Sequence, residues 1–569
     1  MNHLFAFLAG HALHLLVFRR GEWDSAARDI MVSAALLYVG VAVALHAASG
    51  PAGGSWWASL HAATTLELAG MAGVFASMLA YRVWFHALCR YPGPWAARLS
   101  SLHLTYLSRR FRLFEELRLL HEQYGDIVRI GPSTVSICKP EAVEAVHGPK
   151  SKCSKGPWYE QAKPLTSLHT NRDPVTYARQ RRSWEQGLNS AGKLLLFIVL
   201  SLEELGLFKL TNGNQIALRG YTPILAKTTQ QLLDRIEASR GQTFDASKWF
   251  HYFSFEVMGW MAFDKSFDAL ATGTPTYCMN LITKSLNLIG LLAHIPWFFV
   301  WMKHLPVMGA TFQVFRKWLR AQMAAQMEKP PGSSRSLFAA ILKDYPPAEE
   351  QTEKQRMVLE GDMFLILVAG SDTVAVTLQA LFYEMAVNQE AQKKLQQEID
   401  AHVAEYGDGG GNGLDPALLA KLDHLQACIN ETLRLWPPVI SGVQRETPPE
   451  GLQVGDVRLP GNILVQVPTH LIHRNEEAFP RPKEFIPERW TTKPELVVDR
   501  SAFYPFSIGR HSCPGKQFAL AELRQATVDI LRRYSVELAP GFTSEDFEGG
   551  LRDHFTLEAS RLELAFTAR

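Results

Sequence analysis

Three long apolar runs open the chain, and each has the pattern of a membrane helix. They are Leu4 to Phe18, Ile30 to Ala47 and Leu66 to Leu88. The middle run reaches the length needed to cross a hydrocarbon core of about 30 Å, and the first run barely approaches it. A signal peptide is the alternative, but no small-residue cleavage site follows the first run. The pattern predicts a membrane anchor in residues 1–89 with up to three helices.

The charges between these runs predict the orientation of the anchor. Arg19, Arg20 and Arg28 lie between the first two runs, whereas the next loop, residues 49–65, contains no Lys or Arg. Positive charge is retained on the cytosolic side of a membrane. We therefore expect the amino terminus in the lumen and everything after Arg90 in the cytosol.

Beyond Arg90 the pattern becomes that of a globular domain. A Pro-Gly segment ends the anchor, and Phe111 to Tyr124 then has the apolar period of an amphipathic helix. Alternating residues 126–137, with a Gly-Pro turn, predict a pair of strands. The longest helical pattern, Gly361 to Asn388, is apolar on nearly all sides and predicts a core helix.

A further apolar run, Leu286 to Met302, carries His294 and Pro296 inside it. A fourth transmembrane helix is one interpretation, but it would put the rest of the domain on the wrong side of the membrane. We expect instead a surface helix pair that dips into the bilayer.

Composition narrows the function classes. The chain has 569 residues, 47% of them hydrophobic, and a net charge of +2, which gives no bias toward nucleic acid. It has six cysteines, and none of them form a C-x-x-C pair. This usage fits a reducing cytosolic setting for most of the chain.

The segment FSIGRHSCPG, residues 506–515, has the clearest chemical pattern. Cys513 lies just before a helical run, so unpaired backbone N–H groups and the helix dipole favour its thiolate. Arg510 and His511 add positive charge, and Gly515 lets the backbone approach a bulky partner. Taken alone, the segment is also compatible with a free cysteine in a glycine-rich turn.

Five residues of this segment resemble the haem-binding loop of the cytochrome P450 family: Phe506, Gly509, His511, Cys513 and Gly515. The resemblance implies that Cys513 is the proximal ligand of the iron in haem b, iron protoporphyrin IX. Phe506, His511 and Gly515 then belong to the cofactor site. Many members have arginine in place of His511, and a histidine can still donate to a haem propionate.

The core-helix pattern contains AGSDT, residues 369–373, which is similar to the oxygen-binding motif of the family. The resemblance implies that Thr373 hydrogen-bonds dioxygen and that Asp372 helps to relay protons. By itself the motif is compatible with a chance kink, because Gly and an unpaired buried Asp are unfavourable in a core helix.

Glu431 and Arg434 match the E-x-x-R motif of the family, and Arg489 in FIPERW is the third member of that network. The resemblance implies a mostly buried hydrogen-bonded network that holds the loop before Cys513. An isolated pair at this spacing is usually a surface ion pair worth about 0–1 kcal/mol.

Three more residues are assigned to the haem propionates by the resemblance. Arg181 and Trp184 lie in a segment similar to the helix that passes one haem edge, and Arg445 lies where members place another arginine. A solvated basic helix is the alternative for the first two. Leu188 stands where the family often has an arginine.

As a whole, the resemblance implies a mainly α fold with a small β-rich lobe, and residues 90–569 as the catalytic domain. It implies a monooxygenase in the endoplasmic reticulum membrane that acts on a small lipophilic substrate, a secondary metabolite or xenobiotic. Electrons would come from NADPH through a separate NADPH–cytochrome P450 reductase, with cytochrome b5 as an optional second partner. The alternatives are a haem-thiolate isomerase or dehydratase and a non-catalytic haem-binding paralogue.

The segment Gly192 to Ile216 interrupts a run that otherwise resembles fungal members of the family. Joining Ala191 to Ala217 restores that run. Its end residues are compatible with codons that contain splice signals, so we interpret residues 192–216 as a suspected retained intron. A genuine surface insertion is the alternative.

Overall fold

A computed structural model describes residues 2–49, 55–190, 221–329, 334, 336–407, 414–559 and 561–569. The suspected insert, residues 192–216, lies outside the described residues, so the interpretation of it stays a prediction. Helices dominate the described residues and the sheets are small, which confirms the predicted fold class.

The helices of the first third are α1 (Asn2–Leu13), α2 (Ala27–Ala48), α3 (Trp56–Ala80), α4 (Trp95–Leu99), α5 (Leu102–Leu107), α6 (Leu113–Tyr124), α7 (Glu141–His147) and α8 (Pro174–Ser190). Those of the centre are α9 (Thr222–Ala238), α10 (Ala246–Phe263), α11 (Ala269–Thr272), α12 (Tyr277–Leu292), α13 (Pro296–Met302), α14 (Pro306–Met327), α15 (Leu337–Leu342) and α16 (Glu353–Val387). The last are α17 (Gln389–Tyr406), α18 (Pro416–Leu419), α19 (Asp423–Leu435), α20 (Thr469–Ile472), α21 (Lys516–Arg533) and α22 (Ser544–Gly550).

The strands are β1 (Ile127–Arg129), β2 (Thr134–Ile137), β3 (Ser154–Lys155), β4 (Phe244–Asp245), β5 (Gln444–Glu446), β6 (Leu452–Val454), β7 (Val457–Leu459), β8 (Leu464–Gln466), β9 (Tyr534–Leu538), β10 (Leu551–Asp553), β11 (Leu557–Ala559) and β12 (Glu563–Ala568). The largest sheet has the order β1-β2-β8-β5-β3. The predicted strand pair is confirmed, since β1 and β2 are antiparallel with Ile127 opposite Ile137.

The anchor helices α1 and α3 pack closely through glycines. A Cβ atom at Gly10 would lie 1.9 Å from the carbonyl oxygen of Gly70, and one at Gly73 would lie 2.0 Å from that of Phe7. Small residues that let backbones approach are typical of helix association in membranes. By length and composition, Asp24–Ala48 and Trp56–Phe85 can cross a membrane, and Asn2–Phe18 is a shorter apolar helix. These helices agree with the predicted anchor.

The predicted core helix is α16, which is also long and apolar but is 67% buried within the domain. It begins at Glu353, earlier than predicted, because Thr352 and Gln355 form a capping box ahead of the apolar stretch. The helix runs unbroken through Gly370. A Cβ atom at Gly370 would lie 2.4 Å from Met258 Sδ, so this glycine allows α10 to pack closely.

The apolar run Leu286 to Met302 forms the end of α12 and all of α13, which confirms a helix pair in place of a fourth spanning helix. Pro296 is the first residue of α13, a position where the missing N–H of proline costs little. His294 lies in the turn, and its Nε2 is 2.9 Å from Ser108 Oγ. The expected contact of this pair with the bilayer stays a prediction.

Candidate active site

The loop before Cys513 is closed by its own backbone. The N–H of Cys513 donates to the carbonyl of Phe506 at 2.8 Å, and Ser507 and Gly509 have left-handed conformations with φ of 54° and 67°. A Cβ atom at Gly509 would lie 2.4 Å from the carbonyl oxygen of His147, so this position requires glycine. Helix α21 begins directly after Gly515. The chain therefore presents Cys513 just before a helix start, as predicted.

The electrostatics of Cys513 differ from the expectation. Its side chain is accessible but closely surrounded by protein, and this burial raises the pKa of the thiol. The backbone N–H of Gly515 and the charges of Arg181 and Lys516 lower that pKa by less. The helix start lowers the pKa of the thiol, as predicted. The prediction that the protein alone favours the thiolate is wrong, because burial raises the pKa by more. A bound metal ion would deprotonate a coordinating thiol.

The expected positive charge on His511 is also wrong. Burial lowers its pKa to about 2, and the charges of Arg445 and Lys155 add to this effect. The ring packs edge-on against Tyr177 with centroids 4.7 Å apart, and its buried Nδ1 has no hydrogen-bond partner among the described residues. A neutral histidine still has one N–H to donate.

Basic side chains from three other segments, Lys155, Arg181 and Arg445, lie near the Cys513 loop, which adds Arg510 of its own. Burial, followed by the charges of Arg445, Arg510 and Arg181, lowers the pKa of Lys155 to about 6. The three arginine charges therefore add to burial in making a protonated Lys155 unfavourable. Arg181 donates to the carbonyl of Ser512, and its Nη2 lies 3.5 Å from Ser512 Oγ.

Each of these cations is held in place by the protein. Lys155 Nζ donates to the carbonyls of Leu168 and Asn171 at 2.9 and 3.0 Å. Buried Arg445 donates to the hydroxyl of Tyr159, and Arg510 donates to the carbonyl of Cys153. Such a fixed basic cluster beside a cysteine fits a flat ligand with two carboxylates, which is what haem b carries.

Trp184 is buried on α8 next to this cluster. Its indole Nε1 makes no hydrogen bond of ordinary geometry, although it is near enough to Asp362 to oppose the rise of that residue's pKa. Asp362 accepts from the backbone N–H of Leu168 at 2.7 Å and from Gln180 Nε2 at 3.2 Å. Burial raises the pKa of Asp362 to about 7. The predicted contact of Trp184 with a propionate stays a prediction.

The structure brings Glu431, Arg434 and Arg489 together, and all three side chains are 0% exposed. Glu431 Oε1 lies 2.8 Å from Arg489 Nε and 2.8 Å from Arg434 Nη2, and Oε2 accepts from Arg434 Nε at 2.9 Å. The carboxylate also accepts from Trp490 Nε1 at 2.9 Å and from the backbone N–H of Ile486 at 3.0 Å. This is the buried network that the motifs implied.

The network extends to the segment before Cys513. Arg434 Nη1 donates to the carbonyl of His473 at 3.0 Å, and His473 Nε2 accepts the backbone N–H of Tyr504 at 3.1 Å. The carbonyl of Tyr504 accepts the N–H of Ser507 at 2.8 Å. Hydrogen bonds therefore connect α19 to the cysteine loop, and breaking one partner would leave a buried charge unpaired.

Asp372 faces a small polar pocket that contains His251, Glu558 and His554. Both of its carboxylate oxygens are buried and have no hydrogen-bond partner among the described residues. Burial, aided by the negative charge of Glu558, raises the pKa of Asp372 to about 7. His251 Nδ1 lies 3.9 Å from Asp372 Oδ1, and His554 Nε2 lies 3.1 Å from Glu558 Oε2. The carboxyl group can therefore exchange a proton near neutral pH.

Thr373 lies on another side of α16. Its hydroxyl donates to the carbonyl of Ala369 at 2.8 Å, and these two residues form an accessible strip on a helix that is otherwise largely buried. Adjacent helical residues point about 100° apart, so Asp372 and Thr373 do not share one direction. Their joint action stays a prediction.

Several residues of the site belong to no sequence motif from which they could have been predicted. Lys155 lies in a two-residue strand, and His251 and Glu558 come from α10 and β11, far from Asp372 in the chain. Their roles depend on tertiary packing. Trp490 could have been found, since it directly follows Arg489 in FIPERW.

Comparison with known proteins agrees with this geometry. The family model for cytochrome P450 matches residues 207–566. The chain is 41% identical over 569 residues to cytochrome P450 monooxygenase FCK2 of Fusarium pseudograminearum, covering 100% of this chain and 98% of that one. It is 38% identical over 501 residues to cytochrome P450 monooxygenase orf5 of Eupenicillium brefeldianum, covering 87% and 94% of the two chains.

A third relative has a named substrate. The chain is 35% identical over 572 residues to tryprostatin B 6-hydroxylase of Aspergillus fumigatus, covering 99% of this chain and 96% of that one. Members of the matched family bind haem b through a cysteine thiolate and incorporate oxygen into their substrates. The family match and the identity along the whole length show that this chain belongs to the cytochrome P450 family.

Proposed function

We propose that this protein is a membrane-anchored monooxygenase that uses Cys513 as its iron ligand and inserts one oxygen atom of O2 into a lipophilic organic molecule. The observation that carries the proposal is the accessible thiol of Cys513 beside Arg181, in a loop near which Arg445, Arg510 and Lys155 also gather. The haem, when bound, supplies dioxygen activation at an iron made electron-rich by the thiolate.

The cations of this site would hold the haem carboxylates. Arg181 already reaches the backbone of the Cys513 loop, and Arg445 and Lys155 lie within electrostatic range of His511. Negative carboxylates there would offset the charge that now lowers the pKa of Lys155. The Glu431 network would keep the cysteine loop at a fixed distance from the flat ligand.

Proton supply on the opposite side would depend on α16. Burial raises the pKa of Asp372 to about 7, which suits a group that gives and regains a proton in each turnover. The Thr373 hydroxyl, on the accessible strip, can switch its hydrogen bond from the Ala369 carbonyl to a ligand. These properties support oxygen chemistry over isomerisation of a peroxide, which needs no proton delivery.

The substrate class is proposed from the relatives and the anchor. Tryprostatin B 6-hydroxylase indicates that a chain of this kind can hydroxylate a secondary metabolite. The apolar helices of residues 2–85 support a location in the endoplasmic reticulum membrane with the domain in the cytosol. There NADPH–cytochrome P450 reductase would supply electrons, and cytochrome b5 could assist it.

Reconstitution tests the proposal. The full chain, loaded with haem in lipid nanodiscs, is mixed with a reductase and NADPH and screened against a fungal metabolite extract. We expect substrate-dependent NADPH use with a product heavier by one oxygen atom. Turnover of a hydroperoxide without NADPH would support an isomerase or dehydratase instead, and neither result would support a non-catalytic paralogue.

A further inference from the structure

A large cavity, about 1260 Å³, lies between the anchor and the catalytic domain. Anchor residues that include Phe18, Met31 and Met78 line one side, and domain residues that include Ile289 and Trp297 line the other. This volume exceeds that of usual drug-sized pockets, roughly 300–1,000 Å³. The cavity is therefore large enough for an elongated lipophilic molecule.

The short loop between α1 and α2, residues 19–26, closes one side of this cavity and is held onto the domain. Both carboxylate oxygens of Glu22 pair with the guanidinium of Arg172 at 2.6 Å. Asp24 Oδ1 accepts the backbone N–H of Trp297 at 3.3 Å. A bidentate Arg–carboxylate contact fixes the orientation of the two groups as well as their distance. The loop is thus docked by specific polar contacts.

Arg172 is itself positioned for this contact. Its Nε donates to the carbonyl of Lys155 at 2.8 Å, and its other nitrogens lie 3.3 Å from Glu160 and 3.5 Å from Glu446. The Arg172 and Glu22 side chains are 22% and 35% exposed, so water screens the pair only in part. The carboxylate of Glu22 therefore binds the guanidinium of Arg172, which the domain already holds in position.

The inner end of the cavity reaches toward the haem site. Trp158 and Phe555 line it, with ring centroids 4.6 Å apart, and His169 packs against both. The next residue, Tyr159, accepts a hydrogen bond from Arg445 of the basic cluster. Trp158 therefore connects the lining of the cavity, through its neighbour Tyr159, to Arg445 of the basic cluster.

We propose that residues 19–26 form a wall of the substrate entrance, so that a lipophilic substrate passes from the bilayer between this loop and the α12–α13 pair. The inference rests on the proposed function, since it identifies the molecule in the cavity as a substrate. In this proposal the anchor contributes to substrate binding, and the Glu22–Arg172 pair holds residues 19–26 against the domain.

Photolabelling of the haem-loaded full chain tests the wall directly. The probe is a dodecylimidazole that carries a diazirine, and the protein is held in phosphatidylcholine nanodiscs. We expect label in peptides from both residues 18–31 and residues 289–297, and less label when unmodified dodecylimidazole competes. Label on the domain peptides alone, or label on the anchor that is not displaced, would overturn the proposal.

A second measurement uses the ion pair. Dodecylimidazole binding is followed by the shift of the Soret band in Glu22→Gln and Glu22→Lys. We expect binding to weaken about threefold in the first variant and about tenfold in the second, where like charges meet. Glu122→Lys is the matched control, because Glu122 pairs with Arg118 on an exposed helix face; it should bind as the wild type does.

Unchanged binding in Glu22→Lys would overturn the proposal. If that variant fails to take up haem, the labelling pattern of the wild type decides. Neither measurement needs turnover. A chain that is labelled on both walls but oxidises nothing would therefore contradict the proposed function and leave the entrance in place.

Discussion

Glu431 and Asp372 are both buried acids, but their surroundings are opposite. Glu431 accepts hydrogen bonds from Arg434, Arg489 and Trp490, so its oxygens are fully used. Asp372 has no hydrogen bond at either oxygen among the described residues and faces a small pocket. One acid is bound into a rigid framework, whereas the other is left able to react.

This difference separates positioning from proton exchange within one fold. A carboxylate tied to two arginines cannot leave without exposing buried charge, which suits a residue that fixes a loop. A buried carboxyl group without partners has a raised pKa, which suits a residue that gives and takes protons at neutral pH. The fold therefore holds these two buried acids in opposite electrostatic environments.

Removing the thiol of Cys513, whose loop the Glu431 network holds in place, should have the largest effect. In Cys513→Ala, we expect complete loss of the red-shifted Soret band that carbon monoxide gives with reduced, thiolate-ligated haem. Difference spectra of membranes measure it, and Cys138→Ala, a half-buried cysteine of the sheet region, is the control. A band that survives in Cys513→Ala would mean that another residue binds the iron.

Breaking the Glu431 network should have the second-largest effect. Glu431→Ala leaves Arg434 and Arg489 buried without their carboxylate, so we expect a loss of about 3–5 kcal/mol in the free energy of unfolding. Guanidinium unfolding of the haem-loaded protein measures it. Glu484→Ala removes an exposed partner of Arg481 and should cost about 0–1 kcal/mol. Similar losses in the two variants would contradict the structural role of Glu431.

On the reactive side, Thr373→Ala should leave haem content intact and lower the product formed per NADPH about tenfold, with electrons diverted to hydrogen peroxide. Product and peroxide assays measure the ratio. Thr377→Ala is the matched control, because Thr377 also donates to a carbonyl of the helix backbone, that of Thr373, but its side chain is buried. Wild-type coupling in Thr373→Ala would rule out its role.

The pH dependence sharpens the contrast between the two acids. Because the pKa of Asp372 is raised to about 7, its carboxyl group is protonated below that pH, and turnover should fall as pH rises through it. The folded state disfavours the charged form, so stability should also decline from the acid range up to about pH 7 relative to Asp372→Asn. Steady-state rates and unfolding midpoints, measured from about pH 5 to about pH 9, test both effects. Identical profiles in wild type and Asp372→Asn would show that this acid does not titrate there.

Glu558→Gln should have the smallest effect. The negative charge of Glu558 is the second cause of the raised pKa of Asp372, after burial, so removing it should move the rate profile to lower pH by less than about one unit. Glu563→Gln, on the neighbouring strand β12, provides a control. A shift to higher pH would contradict the arrangement of the pocket.

The Cys513 loop and the Glu431 network could be predicted because each is marked by a short motif with fixed spacing. The core helix α16 was predicted from its composition, but its start was missed because a polar capping box precedes the apolar stretch. The charge states near Cys513 were wrong, since neighbouring residues suggested stabilising charge while burial, which the sequence does not give, dominates the pKa.

The remainder of the site could not be predicted because it is assembled across the fold. Lys155 meets Arg445 through pairing of β3 with β5, and His251 meets Asp372 through packing of α10 on α16. Gly370 makes room for Met258 of α10, a packing contact that the AGSDT motif does not indicate. Docking of the anchor loop through Glu22 likewise depends on a partner far along the chain.

The glycine contact between α1 and α3 implies an order of events during synthesis. α1 leaves the ribosome first, and Gly70 and Gly73 follow roughly 60 residues later. A helix this short has little apolar length to stay in lipid alone, so we expect it to be held in the membrane only once α3 packs against it. A bulky residue at Gly73 would then leave the amino terminus on the wrong side of the membrane, while the catalytic domain folds normally.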